Sequence, residues 1–116
     1  MTDLGKRVKK AKMNNLLFRE QQFVIGKKAC DIFDDITSDE NILFQGIIDM
    51  YFEEDGEIVL VDYKTDRVSK KDGEKVLLER YKVQLEYYKQ ALEQLTRKKV
   101  KEVYIYSFAL NRDIRI

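Results

Sequence analysis

No histidine occurs anywhere in the sequence. That removes every Ser-His or Cys-His nucleophilic pair, every imidazole general base and every histidine-containing zinc site. Cysteine is reduced to Cys30 alone, which excludes an internal disulfide framework, a four-cysteine zinc site and a cysteine-held iron–sulfur cluster. Proline is absent, so no proline marks a boundary. No apolar run approaches the roughly 18 residues of a membrane-spanning helix, and no secretory leader pattern opens the chain; the expected setting is the cytoplasm, without a membrane partner. An excess of one charge is lacking too: 22 Lys and Arg against 21 Asp and Glu leave a net +1. Binding to a polyanion must then come from local clustering of cations. What chemistry remains belongs to carboxylates, lysine, tyrosine or a metal-bound water.

What is present reads as one domain over residues 1–116. The chain is 44% hydrophobic despite 37% charge, enough for one packed core. Residues 1–15 are basic (Lys6, Arg7, Lys9, Lys10, Lys12), with Leu4, Val8, Ala11 and Leu16 near helical spacing. They predict a short amphipathic helix, either a solvated face or an electrostatic contact for a nucleic-acid backbone. Residues 16–25 predict a strand, 27–37 a short helix or an irregular excursion, and 38–41 a polar turn. A long apolar strand over 42–52 and another over 57–64 flank an Asp55-Gly56 hairpin turn. From about residue 72, Leu77, Leu78, Tyr81, Leu85, Tyr88, Leu92 and Leu95 recur at helical steps. A basic corner at 98–101 precedes a strand carrying Val103, Tyr104, Ile105, Tyr106 and Phe108, and 112–116 can add an edge strand. The expected fold is α/β: a mixed sheet flanked by helices, with an α-β-β-β-α-β core.

The chemistry concentrates on the hairpin. In residues 57–64 the side chains of Leu60, Asp62 and Lys64 share one face of the strand, and Val59, Val61 and Tyr63 the other. A carboxylate and an ammonium at the end of a buried strand are costly unless paired or bound to a metal. Asp49 lies six residues before Asp55, and Asp62 six after Gly56, so the hairpin carries the two acids to one place. Two carboxylates and the backbone carbonyl of Tyr63 make a hard oxygen pocket suited to Mg²⁺, with Mn²⁺ as a substitute. Lys64 can reach a phosphate at that pocket. A plainer reading stands beside this one: Asp62 and Lys64 as a buried ion pair, and Asp49 held by backbone donors.

The strings Gly46-Ile47-Ile48-Asp49 and Val61-Asp62-Tyr63-Lys64-Thr65-Asp66, followed by Tyr81-Lys82-Val83-Gln84-Leu85-Glu86-Tyr87-Tyr88, resemble the PD-(D/E)xK nuclease superfamily. The likeness is greatest to the C-terminal nuclease domain of the AddA-type, RecB-like helicase-nucleases, and it covers nearly the whole chain from Leu4. It implies a restriction-endonuclease-like fold and Mg²⁺-dependent exonucleolytic hydrolysis of DNA in double-strand break processing and recombinational repair. The substrate would be single strands unwound by motor domains, in the bacterial cytoplasm, with an AddB-like protein as the second component. It assigns Asp49 and Asp62 to the metal, with Lys64, Gln84 and Tyr88 completing the catalytic set. Gln84 and Tyr88 form a Gln-x-x-x-Tyr element on one helix face. Arg19-Glu20 aligns with an upstream Arg-Glu motif and adds Glu20 on the resemblance alone.

Two departures matter. The family carries a metal-ligating histidine on a helix that would precede Met1, and there is no phosphate-binding loop for ATP. Both lead us to expect a C-terminal piece of a larger protein with no ATP site of its own. The alternative is a catalytically incompetent DNA-binding or docking module on the same scaffold, gripping phosphates with Lys6, Arg7, Lys9, Lys10 and the cations of 97–101. A stand-alone restriction enzyme, or a relative with a cysteine-held iron–sulfur cluster, fits the composition less well.

Overall fold

The computed structural model describes residues 2–28 and 40–116. Its order is α1 (Asp3–Met13), β1 (Leu17–Lys28), β2 (Asn41–Glu54), β3 (Glu57–Lys64), α2 (Gly73–Thr96), β4 (Val100–Ser107) and β5 (Arg112–Arg115). The expected excursion at 27–37 lies almost wholly outside the described residues, as do the first two positions of the polar turn; Lys27 and Lys28 instead complete β1. Five strands lie in the order β1-β2-β3-β4-β5. Only β3 and β4 run parallel, joined by α2 as the crossover, and every other neighbour is antiparallel. This is the mixed sheet between helices that the sequence predicts, with β5 as its added edge.

The β2–β3 hairpin follows from its turn. Asp55 (φ 55°) and Gly56 (φ 80°) both take left-handed backbone, the pairing of a type I′ turn whose twist matches the strands it joins. That turn sets the register Met50↔Val61 and Tyr51↔Leu60, and the same count places Asp49 opposite Asp62.

Each face of the sheet has its own helix. Thr2 caps α1, its hydroxyl accepting from Gly5 N–H at 3.0 Å. Leu4 and Ala11 then pack on Met50, Phe52, Val59 and Val61. The opposite face is covered by α2, whose Ala91 and Leu92 meet Ile48, Ile58 and Leu60, and whose Leu77 and Leu85 meet Ile105 and Ile114. Truncating a core residue such as Leu92 to alanine would cost about 2–5 kcal/mol. The helical stripe ends earlier than its leucine spacing suggests, since Leu95 is 53% exposed. Phe108 lies past the end of β4 and is 56% exposed, where the chain has already turned. Among the described residues no helix is long and apolar enough to cross a membrane.

One irregularity positions the site. Ile48 and Tyr51 enter the same cluster beneath α2, while Met50 faces α1. Strict alternation would put residues three apart on opposite faces, so β2 slips by one between them. The slip falls at Asp49, opposite Glu20, which has φ 51°, and that pair is skipped in an otherwise continuous β1–β2 ladder.

Candidate active site

At the C-terminal end of β3, Asp62 and Lys64 project toward α2, as the period-two reading of the strand expects. Asp62 is 3% exposed, and its Oδ2 lies 2.8 Å from Lys64 Nζ. The Asp49 carboxylate is near enough to Asp62 to raise its pKa. Tyr63 N–H donates to Asp49 Oδ2 at 2.9 Å, fixing the carboxylate at the slip in β2. Lys64 Nζ also donates to Gln84 Oε1 at 3.0 Å and sits 3.9 Å from the centroid of the Tyr81 ring.

Tyr88 reaches the cluster from one turn further along α2. Its ring packs edge-on to Phe23 with centroids 5.2 Å apart, so the ring face is committed to the core and the hydroxyl is the part free to meet a ligand. Gly46 makes room for it: a Cβ there would lie 3.3 Å from the Tyr88 hydroxyl oxygen and 3.1 Å from the Phe23 ring. Burial foremost, then the charges of Asp62 and Asp49, raise the Tyr88 hydroxyl above its ordinary pKa.

The structure thus gathers Asp49, Asp62, Lys64, Gln84 and Tyr88 around one point between β2, β3 and α2. Glu20 is not gathered. It stands exposed across the ladder from Asp49, and among the described residues no group of three His, Cys, Asp or Glu side chains is disposed to hold a metal.

Both contacts of the plainer reading exist, the Asp62–Lys64 ion pair and the backbone donor on Asp49. They do not balance the site. Two carboxylates face one ammonium, and Asp62 Oδ2, though in ionic contact with Lys64, receives no hydrogen bond of proper geometry while fully buried. Burial, against the pull of Lys64 and reinforced by the Asp49 charge, pushes the Asp62 carboxyl up to about 6. A buried acid left so poorly neutralised is a feature of functional sites. The donor set fits a hard divalent cation, because Mg²⁺ is commonly held by one or two carboxylates with several waters retained. Tyr63 adds a third oxygen. A residue's N–H and C=O leave an extended strand on the same edge, so its carbonyl faces the edge where its N–H meets Asp49.

Two features of the site escaped the motif reading. Asp66 accepts from the Tyr81 hydroxyl, whose oxygen lies 2.8 and 2.7 Å from its two carboxylate oxygens, and it also pairs with Arg80. The usable signal was spacing: Tyr81 is three residues before Gln84 and therefore shares its flank of α2. The second is the fate of the basic residues offered for gripping phosphate. Arg7 is paired with Glu54 and Glu102, Lys98 with Glu53, and Lys101 with Glu54, so these three are already spoken for by the fold.

Comparison with known proteins shows the family. A model of the PD-(D/E)XK nuclease superfamily matches residues 4–113. The chain is 49% identical over 115 residues to an ATP-dependent helicase/nuclease subunit from Syntrophomonas wolfei, covering 99% of this chain and 9% of that protein. Proteins of the same description from Lachnoclostridium phytofermentans and Clostridium novyi are 46% and 42% identical, over 95% and 99% of this chain. The chain spans less than a tenth of the length of these curated relatives, 8–9%.

Proposed function

The chain belongs to the PD-(D/E)XK nuclease superfamily, and from that premise we propose that residues 1–116 form one divalent-metal-dependent nuclease domain that hydrolyses phosphodiester bonds in DNA. The observation that supports this most is the pair of carboxyl groups at the end of the β2–β3 hairpin, with one buried Asp62 oxygen lacking a directed donor and the Lys64 ammonium beside it.

Asp49, Asp62 and the Tyr63 carbonyl would hold Mg²⁺, or Mn²⁺ in its place. The bound ion would supply a more acidic water and charge stabilisation at the reacting phosphate. The rest falls to the protein. Tyr63 N–H keeps the Asp49 carboxylate turned into the site. Lys64 offers N–H donors to a non-bridging phosphate oxygen, where negative charge grows as the bond is cleaved. Gln84 would orient a water or a phosphate oxygen with its amide. The Tyr88 hydroxyl donates to the strand backbone above Gly46.

By likeness to these ATP-dependent helicase/nuclease proteins, this domain would serve a helicase-nuclease. There it would degrade single strands exonucleolytically as motor domains unwind DNA ends for recombinational repair, with an AddB-like protein as partner. The reading as a binding module on the same scaffold is weaker, because Arg7, Lys98 and Lys101 are in ion pairs. Cleavage of a labelled single-stranded DNA in Mg²⁺, compared with Asp62→Ala and Lys64→Ala, tests the proposal. Wild-type rates in either variant would reject it.

A further inference from the structure

We infer that Tyr81, oriented by Asp66, is a positioning residue that holds the Lys64 ammonium in place for the phosphate; the inference rests on the reading of Lys64 above. Three partners surround this ammonium: Asp62 Oδ2 in ionic contact at 2.8 Å, Gln84 Oε1 as hydrogen-bond acceptor at 3.0 Å, and the Tyr81 ring with its centroid at 3.9 Å. The proposed chemistry engages the first two. Asp62 would turn to the cation and Gln84 to the substrate, which leaves the ring as the one partner that neither takes away.

An aromatic face attracts a cation through its quadrupole and cannot be protonated or displaced by a phosphate, so it is suited to the constant side of the cage. The ring is itself anchored. Its hydroxyl bonds Asp66, two residues beyond Lys64, and Asp66 also takes Arg80, from the same turn of α2. The Tyr81 hydroxyl first, and Arg80 next, hold the Asp66 carboxyl below the usual carboxylate range, which keeps it an ionised acceptor. One carboxylate thereby ties the chain leaving β3 to the ring beneath the ammonium. A purely apolar packing role on the cluster of Leu77, Leu85 and Ile105 would need no hydroxyl and no partner for it.

The test uses Tyr81→Leu, Tyr81→Phe and Asp66→Asn in the full chain, with two readouts. Steady-state cleavage of single-stranded DNA in Mg²⁺ should show Tyr81→Leu lowering kcat about 10- to 100-fold, the scale expected of a misplaced catalytic group, with KM changed less than about threefold. Tyr81→Phe keeps the ring and should recover most of that loss. Without metal, acylation by an amine-reactive reagent, read by peptide mass spectrometry, should rise severalfold at Lys64 in Tyr81→Leu relative to Lys70 and Lys71, and rise much less in Tyr81→Phe, which keeps the ring and loses only its bond to Asp66. Unchanged kcat and unchanged Lys64 labelling in Tyr81→Leu would overturn the inference, as would equal losses in the Leu and Phe variants. Should Tyr81→Leu fail to fold, Asp66→Asn decides, with a smaller loss of kcat and raised Lys64 labelling expected, and wild-type behaviour in both overturning it. Wild-type cleavage by Lys64→Ala would instead strike the functional reading itself.

Discussion

Two charged clusters lie at opposite ends of β3 and on opposite faces of the sheet, and they are built in opposite ways. At the start of the strand, on the α1 face, Arg7 grips Glu54 with Nε and Nη2 at 2.9 and 2.8 Å, and Glu102 with Nη1 and Nη2 at 3.0 and 2.8 Å. Lys101 adds a second cation on Glu54. Two cations meet two carboxylates, and Glu54 and Glu102 are each held down to about 2, with Arg7 as the leading cause. At the far end, two carboxylates meet one ammonium, and burial drives Asp62 up to about 6. The first cluster is closed: every charge has a partner, and the result is a staple between α1, the hairpin turn and β4. The second carries one more negative than positive group, which is the imbalance that the proposed metal reading draws on. Charge count, more than burial, separates the two clusters.

The largest effect should come from the open cluster and should fall on activity. Asp62→Ala or Lys64→Ala is expected to lower the rate of DNA cleavage by about 10²–10³, the scale of losing one group that stabilises transition-state charge. In Asp62→Ala the melting temperature should fall far less than a lost core contact would require, whereas Lys64→Ala leaves two carboxylates without their ammonium and should lower it more. Parallel collapse of activity and melting temperature in both variants would mean that the site is a structural ion pair after all. The closed cluster should give the mirror image. Arg7→Ala leaves Glu102 without its cation and Glu54 with Lys101 alone, and is expected to cost about 2–3 kcal/mol, read as a drop of roughly 10 °C or more in melting temperature. Mg²⁺-dependent cleavage per folded molecule should persist.

The contrast explains what the sequence made legible. The hairpin, the faces of β3 and the helical stripe all follow from local periodicity, and counting outward from Asp55-Gly56 was enough to set Asp49 against Asp62. Arg7 was not legible, because its partners lie 47 and 95 residues away and a basic helix face looks the same whether it meets solvent, phosphate or glutamate. The same holds for Lys98 and Lys101. Nor does the pattern of β2 reveal the slip at Asp49, since Ile47, Ile48 and Met50 are all apolar and any of them could face the core. The left-handed Glu20 across the ladder is a tertiary decision that no propensity of glutamate announces. Asp66 stands within a motif, yet its bond to Tyr81 depends on how α2 returns over the sheet.

Acid should separate the clusters further. Glu54 and Glu102 have folded pKa values below their ordinary ones. Their stabilising contribution is therefore complete above about 4.5 and is lost as pH falls toward about 2. Urea denaturation at pH 5, 4 and 3 should show stability falling in this window, and Glu102→Gln, already weaker at pH 7, should show a shallower fall. An equally steep decline in Glu102→Gln would place the acid sensitivity elsewhere.

The smallest effect is the most discriminating, because its sign is opposite. The folded pKa of Asp62 is raised from 3.8 to about 6, so its ionisation opposes folding: the penalty is absent below about 3.8 and complete above about 6. Asp62→Asn removes the charge while preserving shape. The metal-free variant should consequently be more stable than the wild type at pH 7, by about 1 kcal/mol once the lost attraction to Lys64 is set against the relief of desolvation. The gain should shrink to nothing near pH 4, where the wild-type acid is already protonated. Added Mg²⁺ should stabilise the wild type and leave Asp62→Asn unmoved, because a ligand stabilises only the state that binds it. A destabilised Asp62→Asn at pH 7 would show that the Lys64 pair outweighs the burial of its acid, and the two ends of β3 would then be clusters of the same kind.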